Sequence, residues 1–429
     1  MSDPSPRDLL LELFRAAVAS ADPDLCLPPH LPDPPEEGRL ILLASGKGSA
    51  AMVRAAEKYY GERDELDRIT GFAVTRYGYS LPTIRIPLLE AGHPVPDEAS
   101  ERAAMRALEL ARSAGAGDTV LVLMSGGASA LWTAPVDGVT LAQKQQLTRD
   151  LLASGAPIGE INCVRKHLSR IKGGRLARAA APGRLITLAV SDVPGDDPSA
   201  IGSGPTVGDP TTLEDARAIL VRRKVTPPAS IAAALRDPGN ETPKPDDPVF
   251  ADSTFTIVAR PRAALEAAGE VVRAHGFEPR ILGDALEGDS AALGREHGEL
   301  ALRCLEGKEK VALLSGGETT VVVKGQGRGG PNQEYALALA LALRGSPGIS
   351  ALAADTDGID GGSGASDDPA GALIDETTLT RARSKGLEPD KFLANNDSTS
   401  FFAALGDLVK TGPTHTNVND FRVILVDPE

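Results

Sequence analysis

The chain predicts an α/β protein whose strands form mostly parallel sheets, in two α/β domains, the N-terminal one a Rossmann-like α/β/α sandwich. Three observations carry that prediction. Short apolar runs alternate with helix-patterned segments, as βαβ units require. Two of those runs, 119–124 and 184–190, are continuously apolar, the pattern of parallel strands buried on both faces. Gly-rich turns follow several runs directly, as at Ser45-Gly46-Lys47-Gly48.

The elements follow in order. Ser5 and Pro6 mark the start of a helix over 6–20. Strand 39–45, helix 49–60, strand 70–75, helix 98–113 with Asp97 as its N-cap, and strand 119–124 come next. A helical stretch from about 140 to 180 leads to strand 184–190. Residues 236–248 carry four prolines and charges without an apolar period, which reads as a linker. The expected division is therefore 1–236, a linker at 237–250, and 251–429. The second series holds strand 254–259, helix 261–275, strand 278–282, helix 289–306, strands 310–315 and 319–323, helix 332–344 and strand 350–354. A last strand at 421–426 suits either sheet.

Composition narrows the function. The 41% apolar and 24% charged content fits an ordinary soluble globular chain, expected to be cytoplasmic. A net charge of −14 with no offsetting basic tract argues against nucleic acid as a partner. No apolar run approaches membrane-spanning length, and Cys26, Cys163 and Cys304 fit neither a disulfide framework nor a zinc site. The expected partners are small molecules, for a monomer or a small homo-oligomer.

The turn Gly46-Lys47-Gly48-Ser49 between a strand and a helix reads as a cradle for phosphate or carboxylate, built from backbone N–H groups and the Lys47 charge. It is not a P-loop, since Ile41 and Gly48 stand where Gly and Ser or Thr are required. Gly46-x-Gly48-x-x-Ala51 fits the looser dinucleotide fingerprint; strand 70–75 runs into Arg76, with no carboxylate for a ribose, but Arg76 suits a phosphorylated ribose, so a dinucleotide stays open. Two similar turns are Ser125-Gly126-Gly127 and Ser315-Gly316-Gly317-Glu318. Together the three favour an anion-rich ligand such as ATP.

Four further segments bear chemistry. The run 162–175 holds Arg165, Lys166, His167, Arg170, Lys172 and Arg175, either a solvated helix face or a grip on an anion. Asp192 follows strand 184–190, where a catalytic carboxylate or an Asx-turn residue would stand, and a long irregular loop comes after it. Gly327-Arg328-Gly329-Gly330-Pro331-Asn332 reads as a mobile loop that frees a guanidinium before a helix start. Asp355-Thr356-Asp357-Gly358 is either a Mg²⁺ loop or a tight turn without metal. His93, in Gly92-His93-Pro94, reads as a polar loop residue.

Taken together, these motifs resemble the type-2 glycerate kinases, the family with a C-terminal MOFRL domain. The resemblance runs from Ser45-Gly46-Lys47-Gly48 through Gly92-His93-Pro94-Val95-Pro96-Asp97-Glu98, Val164-Arg165-Lys166-His167-Leu168-Ser169 and Ser191-Asp192-Val193-Pro194-Gly195-Asp196 to Asn332-Gln333-Glu334 and Asp355-Thr356-Asp357-Gly358. It implies a MOFRL region at about 310–425 and a site in a cleft between two domains. The implied reaction is ATP- and Mg²⁺-dependent phosphorylation of D-glycerate at its 2-hydroxyl. Family members have also been labelled hydroxypyruvate reductases, so an NAD(P)H-dependent reductase is the alternative.

By that resemblance Lys47, Asp192 and Arg328 are the catalytic residues, and Ser125, Gly126, Arg165 and Lys166 meet the substrate. Gly46, Gly48, Ser49, Ser315, Gly316, Gly317, Glu318 and Asn332 meet the nucleotide, while Asp355 and Asp357 hold the metal. Many members place Arg directly before Asn-Gln-Glu, where this chain has Pro331; Arg328 is the expected substitute.

Overall fold

The computed structural model describes residues 4–362 and 367–428. The chain divides into a first unit, Pro23–Val258, and a second, Met1–Asp22 with Ala259–Glu429. Helix α1 (Pro6–Ala19) starts as predicted, with Ser5 accepting from the Asp8 N–H. It belongs to the second unit, because its apolar face seeks that core: the Phe14 ring lies 6.1 Å from Phe421.

In the first unit the chain runs β1 (Leu40–Ser45), α2 (Ser49–Gly61), β2 (Ile69–Arg76), β3 (Leu88–Ala91), α3 (Glu98–Arg112), β4 (Thr119–Met124), α4 (Leu141–Ala153), α5 (Ile158–His167), β5 (Arg184–Val190), α6 (Leu213–Arg222) and β6 (Ser253–Ala259). The sheet order is β3-β2-β1-β4-β5-β6, with β1 to β5 parallel. Ile41, Leu43, Val120 and Val122 are completely buried in its core, as continuous apolar strands require. Asp97 caps α3 through a reciprocal box with Ser100. A second apolar cluster, with Leu147, Ile161, Leu213 and Ile231, ties α4, α5 and α6 together.

Two expectations fail at the end of this unit. Segment 237–250 is no free linker: Glu241 meets the buried His167 ring at 3.1 Å, and the Thr242 hydroxyl donates to Asp209 at 3.1 Å. Strand β6, expected to open the second series, closes the first sheet instead. Its side chains Phe255 and Ile257 pack on the first core, which explains the placement.

The second unit continues with α7 (Pro261–Ala274), β7 (Glu278–Leu286), α8 (Ser290–Glu306), β8 (Val311–Gly317), α9 (Pro331–Leu343), β9 (Ile349–Asp355), β10 (Gly371–Ile374), β11 (Leu408–Val409) and β12 (Asp420–Val426). Its sheet runs β11-β10-β9-β12-β8-β7. Only β7 and β8 pair in parallel among the ladders described; β12 lies antiparallel between β8 and β9. That position answers which sheet the C-terminal strand joins. The expected strand 319–323 does not form. Thr320 makes one isolated bridge to Asp289, and Val322 and Val323 face solvent, so β-branched composition finds no neighbouring strand there. Among the described residues no helix is long and apolar enough to cross a membrane.

Candidate active site

The first sheet reverses its direction of growth between β1 and β4, and ligands in open α/β sheets bind outside the carboxyl ends of strands at such a switch point. The turns after these two strands lock together there. Lys47 N–H donates to the Gly126 carbonyl at 2.8 Å, Gly48 N–H to Ser125 Oγ at 2.9 Å, and Ser125 N–H to the Ser45 carbonyl at 3.1 Å. Gly46 N–H reaches the Val74 carbonyl at 3.3 Å and Ser49 N–H the Gly46 carbonyl at 3.2 Å. The Ser49 hydroxyl is also spent, on the Val74 carbonyl at 2.7 Å.

This corrects the expected cradle. The amides of 46–49 are used to fasten one turn to its neighbours, so Gly46, Gly48 and Ser49 shape the site without presenting N–H groups to a phosphate. Gly46 is needed for space as well: at φ +137°, a Cβ would stand 2.1 Å from Ser125 Oγ. Ser125 itself is buried, its hydroxyl committed to Gly48. Among the described residues the Gly126 and Gly127 N–H groups meet no acceptor, so this second turn keeps the donors that the first lacks.

Lys47 remains, half-buried on the rim. A Cβ on Gly127 would lie 2.9 Å from the His93 ring and 3.4 Å from Lys47 Cγ, so these three residues converge. His93 arrives from the loop after β3, facing the turns rather than serving only as a polar loop residue. The signal was its place in the Gly92-His93-Pro94 motif, directly after a short strand that sequence reading missed. Asp192, half-buried, follows β5, the strand beside β4, and thus stands on the same carboxyl edge.

The basic run 162–175 turns mostly inward. Lys166 is buried against Asp209 at 3.4 Å, an internal ion pair rather than a substrate contact. Lys144 Nζ donates to the carbonyls of Arg165 at 3.2 Å and Leu168 at 2.9 Å. Burial, followed by repulsion from Arg165 and Arg175, brings its pKa down to about 7. Lys172 Nζ donates to the Ser129 carbonyl at 2.6 Å and its hydroxyl at 3.2 Å, and that hydroxyl lies 2.7 Å from Ser203 Oγ. Burial and the nearby charges of Lys144 and Arg165 push the Lys172 ammonium well below the usual lysine range. Burial lowers the Arg165 guanidinium too. Among the described residues, none of Lys144, Arg165 and Lys172 has an acidic partner.

In the second unit, Ser315, Gly316 and Gly317 are not a turn but the last residues of β8, paired with Arg422, Phe421 and Asp420 of β12. Gly317 allows close approach: at φ +110°, its Cβ would lie 2.2 Å from the Leu286 backbone. Glu318 is exposed. Asn332 is completely buried, and its amide links Asp360 to Asp420 at 3.2 and 2.5 Å. Asp360 caps α9 by accepting from the Asn332 and Gln333 N–H groups, each at 2.9 Å; burial raises its pKa to about 7. Asn332 thus stands inside the hydrogen-bond network that fixes the helix start.

The loop before α9 is fastened, contrary to expectation. Gly325 N–H reaches Asn396 Oδ1 at 2.9 Å, Gly327 N–H the Asn395 carbonyl at 2.9 Å, and Arg328 N–H Asp397 Oδ1 at 3.1 Å. Arg328 keeps an exposed side chain, 3.3 Å from Asp368. Pro331 takes the first helical position, where its missing N–H costs nothing. Asp355 accepts from the Asp357 N–H and Asp357 from the Ile359 N–H, both at 2.9 Å. Asp357 is buried and Asp355 half-buried at the end of β9. No group of three or more His, Cys, Asp or Glu able to hold a metal occurs among the described residues. One accessible carboxylate such as Asp355 fits the demands of a phosphate-bound Mg²⁺, whereas Asp357 fits a turn residue.

Residues 9–236 match the family model described as a domain of unknown function, DUF4147, and residues 311–420 match the MOFRL family. The chain is 38% identical to a D-glycerate 2-kinase of Thermotoga maritima over 99% of this chain and 100% of that protein. It is 48% identical, over 99% of this chain and 95% of the relative, to a protein of Agrobacterium vitis whose name provisionally assigns a hydroxypyruvate reductase. A crystal structure of a Thermotoga maritima glycerate kinase superposes with a TM-score of 0.87 at 36% identity, covering 98% of this chain and 99% of that one.

Proposed function

The chain belongs to the family that joins a DUF4147 domain to a MOFRL domain, and from that premise we propose that it phosphorylates D-glycerate at the 2-hydroxyl, with ATP as donor and Mg²⁺ as cofactor. The observation that carries this reading is the cluster of buried Lys144, buried Lys172 and half-buried Arg165, with Lys172 against Ser129 just beyond the 125–127 turn. Buried basic groups without acidic partners are costly to protonate, and a bound anion is the counterpart that restores their charge. A small carboxylate meets that need, and Arg165 is its proposed grip.

In the proposed reaction the glycerate hydroxyl oxygen attacks the γ-phosphorus, the bond to the β-phosphate oxygen breaks, and ADP leaves. Asp192 orients that hydroxyl and accepts its proton. Lys47 offsets charge on the transferring group, with His93 beside it and the Gly126 and Gly127 amides as further donors. From the second unit, Arg328 is assigned to phosphate charge and Asp355 to Mg²⁺, which when bound would neutralise phosphate oxygens. Gly46, Gly48 and Ser49 act by holding the two turns together.

The reductase reading gains no support from the geometry. A dinucleotide would need free amides at the 46–49 turn and a carboxylate after β2; the amides are spent, and Arg76 lies over the Tyr79 ring at 4.6 Å. Phosphorus NMR of the protein with ATP, Mg²⁺ and D-glycerate tests the proposal. The expected result is a 2-phosphoglycerate resonance growing with ADP. A silent spectrum, with NADH consumed on adding hydroxypyruvate, would overturn it.

A further inference from the structure

A cleft of about 410 Å³ in the first unit is lined by Arg112, Arg170, Arg175 and Arg178 with Ala179 and Ala181. Arg112 ends α3 on the way to β4, and Ala181 lies three residues before β5, so the cleft gathers residues near the amino ends of these strands. Lys47, Gly127 and Asp192 all follow carboxyl ends. A six-residue strand, about 20 Å long, separates the two edges. The cleft thus opens away from the turns at the carboxyl edge, with Arg175 on its wall near enough to Lys144 to lower that group's pKa.

Its charges are poorly matched from within. Arg170 Nη1 lies 3.4 Å from Asp137, whose side chain is 96% exposed, and Arg178 Nη2 lies 3.3 Å from Asp247. Ion pairs this long and this exposed contribute little. Arg175 Nη2 donates to the Asn240 carbonyl at 2.5 Å, and the nearby Glu241 and Asp209 carboxylates offset its charge only in part. The Nε atoms of both Arg170 and Arg175 are buried without an acceptor, and Arg112 has no ion pair among the described residues. Burial, then repulsion from Arg178, lowers the Arg175 pKa to about 10. No acidic residue lines the cleft, although the chain carries a net charge of −14. Four guanidinium forks around one concavity match phosphate oxygens, and the volume suits a small metabolite.

We propose that this cleft binds a small phosphate-bearing anion with two or more negative charges. Lys172, between Arg170 and Arg175 in sequence, holds Ser129 behind the 125–127 turn, so the occupied cleft and the catalytic edge share one segment.

Calorimetric titration with pyrophosphate at low salt, on the full chain, tests this. R112A/R178A is the main variant, since both residues are exposed; an unchanged melting midpoint is expected and checks the fold independently of any kinase activity. The expected result is at least a tenfold loss of pyrophosphate affinity in R112A/R178A, with that binding component retained in K47A. Equal isotherms for wild type and R112A/R178A would overturn the proposal. So would loss of all binding in K47A, which would place the anion on the catalytic edge. Binding of a single-stranded oligonucleotide that depends on Arg112 and Arg178, without any response to pyrophosphate, would also overturn it.

Discussion

The tripeptide Ser-Gly-Gly occurs at 125–127 and again at 315–317, each time at the end of an apolar run, yet the two copies fold differently. After β4 the chain must leave the sheet, because its parallel neighbours end at the same level: Ser45 pairs with Met124, and Met124 with Ala189. The first copy therefore becomes a turn on the carboxyl edge. At β8 the antiparallel β12 continues alongside, pairing Asp420 with Gly317, and the second copy stays extended. The same local sequence is a site in one sheet and scaffold in the other. What surrounds a strand end decides which.

The largest expected effect comes from removing the cation that the first turn presents. Lys47→Ala should lower kcat by about 10²–10³, or ~3–4 kcal/mol in the transition state, with the urea midpoint unchanged. Turnover within a few-fold of wild type would take Lys47 out of the mechanism.

The glycines come next. Gly46→Ala and Gly317→Ala each force a Cβ against backbone or hydroxyl atoms at 2.1–2.2 Å, at positive φ. Each should cost about 3 kcal/mol in urea unfolding. They should differ in activity: per folded molecule, the first loses turnover as the docked turns separate, while the second keeps it. Equal turnover in the two variants would dissolve the distinction between site and scaffold.

A smaller effect separates the serines. Ser125→Ala leaves the Gly48 N–H without its acceptor and should cost about 1–2 kcal/mol, whereas Ser315→Ala, inside an intact ladder, should stay within about 0.5 kcal/mol. Denaturant titration of both variants gives the comparison directly.

Acidity gives the mildest contrast. Hydrogen bonds from Arg39 hold the Asp118 pKa at about 2, below its unfolded value near 4. Its stabilisation is present above about pH 4 and is lost as pH falls towards 2. Asp360, raised to about 7, does the opposite: the folded state keeps a proton that the unfolded state releases, so stability declines between about pH 4 and 7. Thermal melts across pH should lose the acid-side slope in Asp118→Asn and the slope between pH 4 and 7 in Asp360→Asn. Unchanged slopes would remove these groups as the cause.

Much of the fold was legible because its signals are local. Ser5 and Asp97 announce helix starts by hydrogen-bonding within one turn, and Pro6 by its fixed φ at the first helical position. The runs 119–124 and 184–190 became β4 and β5 with no shift in their ends. Lys47 and Asp192 could be placed on strand ends for the same reason. Short pairings were less legible: β3 and β11 have four and two residues, too few to show a period.

The sequence by itself determined the α/β class, the order of the long elements and the family, because apolar period, caps and motif spacing act over a few residues. Only the tertiary structure decided that the first helix joins the second unit, that β6 closes the first sheet and that β12 runs between β8 and β9. It alone showed the amides of 46–49 to be spent, Lys166 to be paired with Asp209, and four arginines to share one cleft. Each of these depends on which distant group supplies a hydrogen-bond acceptor, a counter-charge or a strand edge, and the chain acquires those neighbours only by folding.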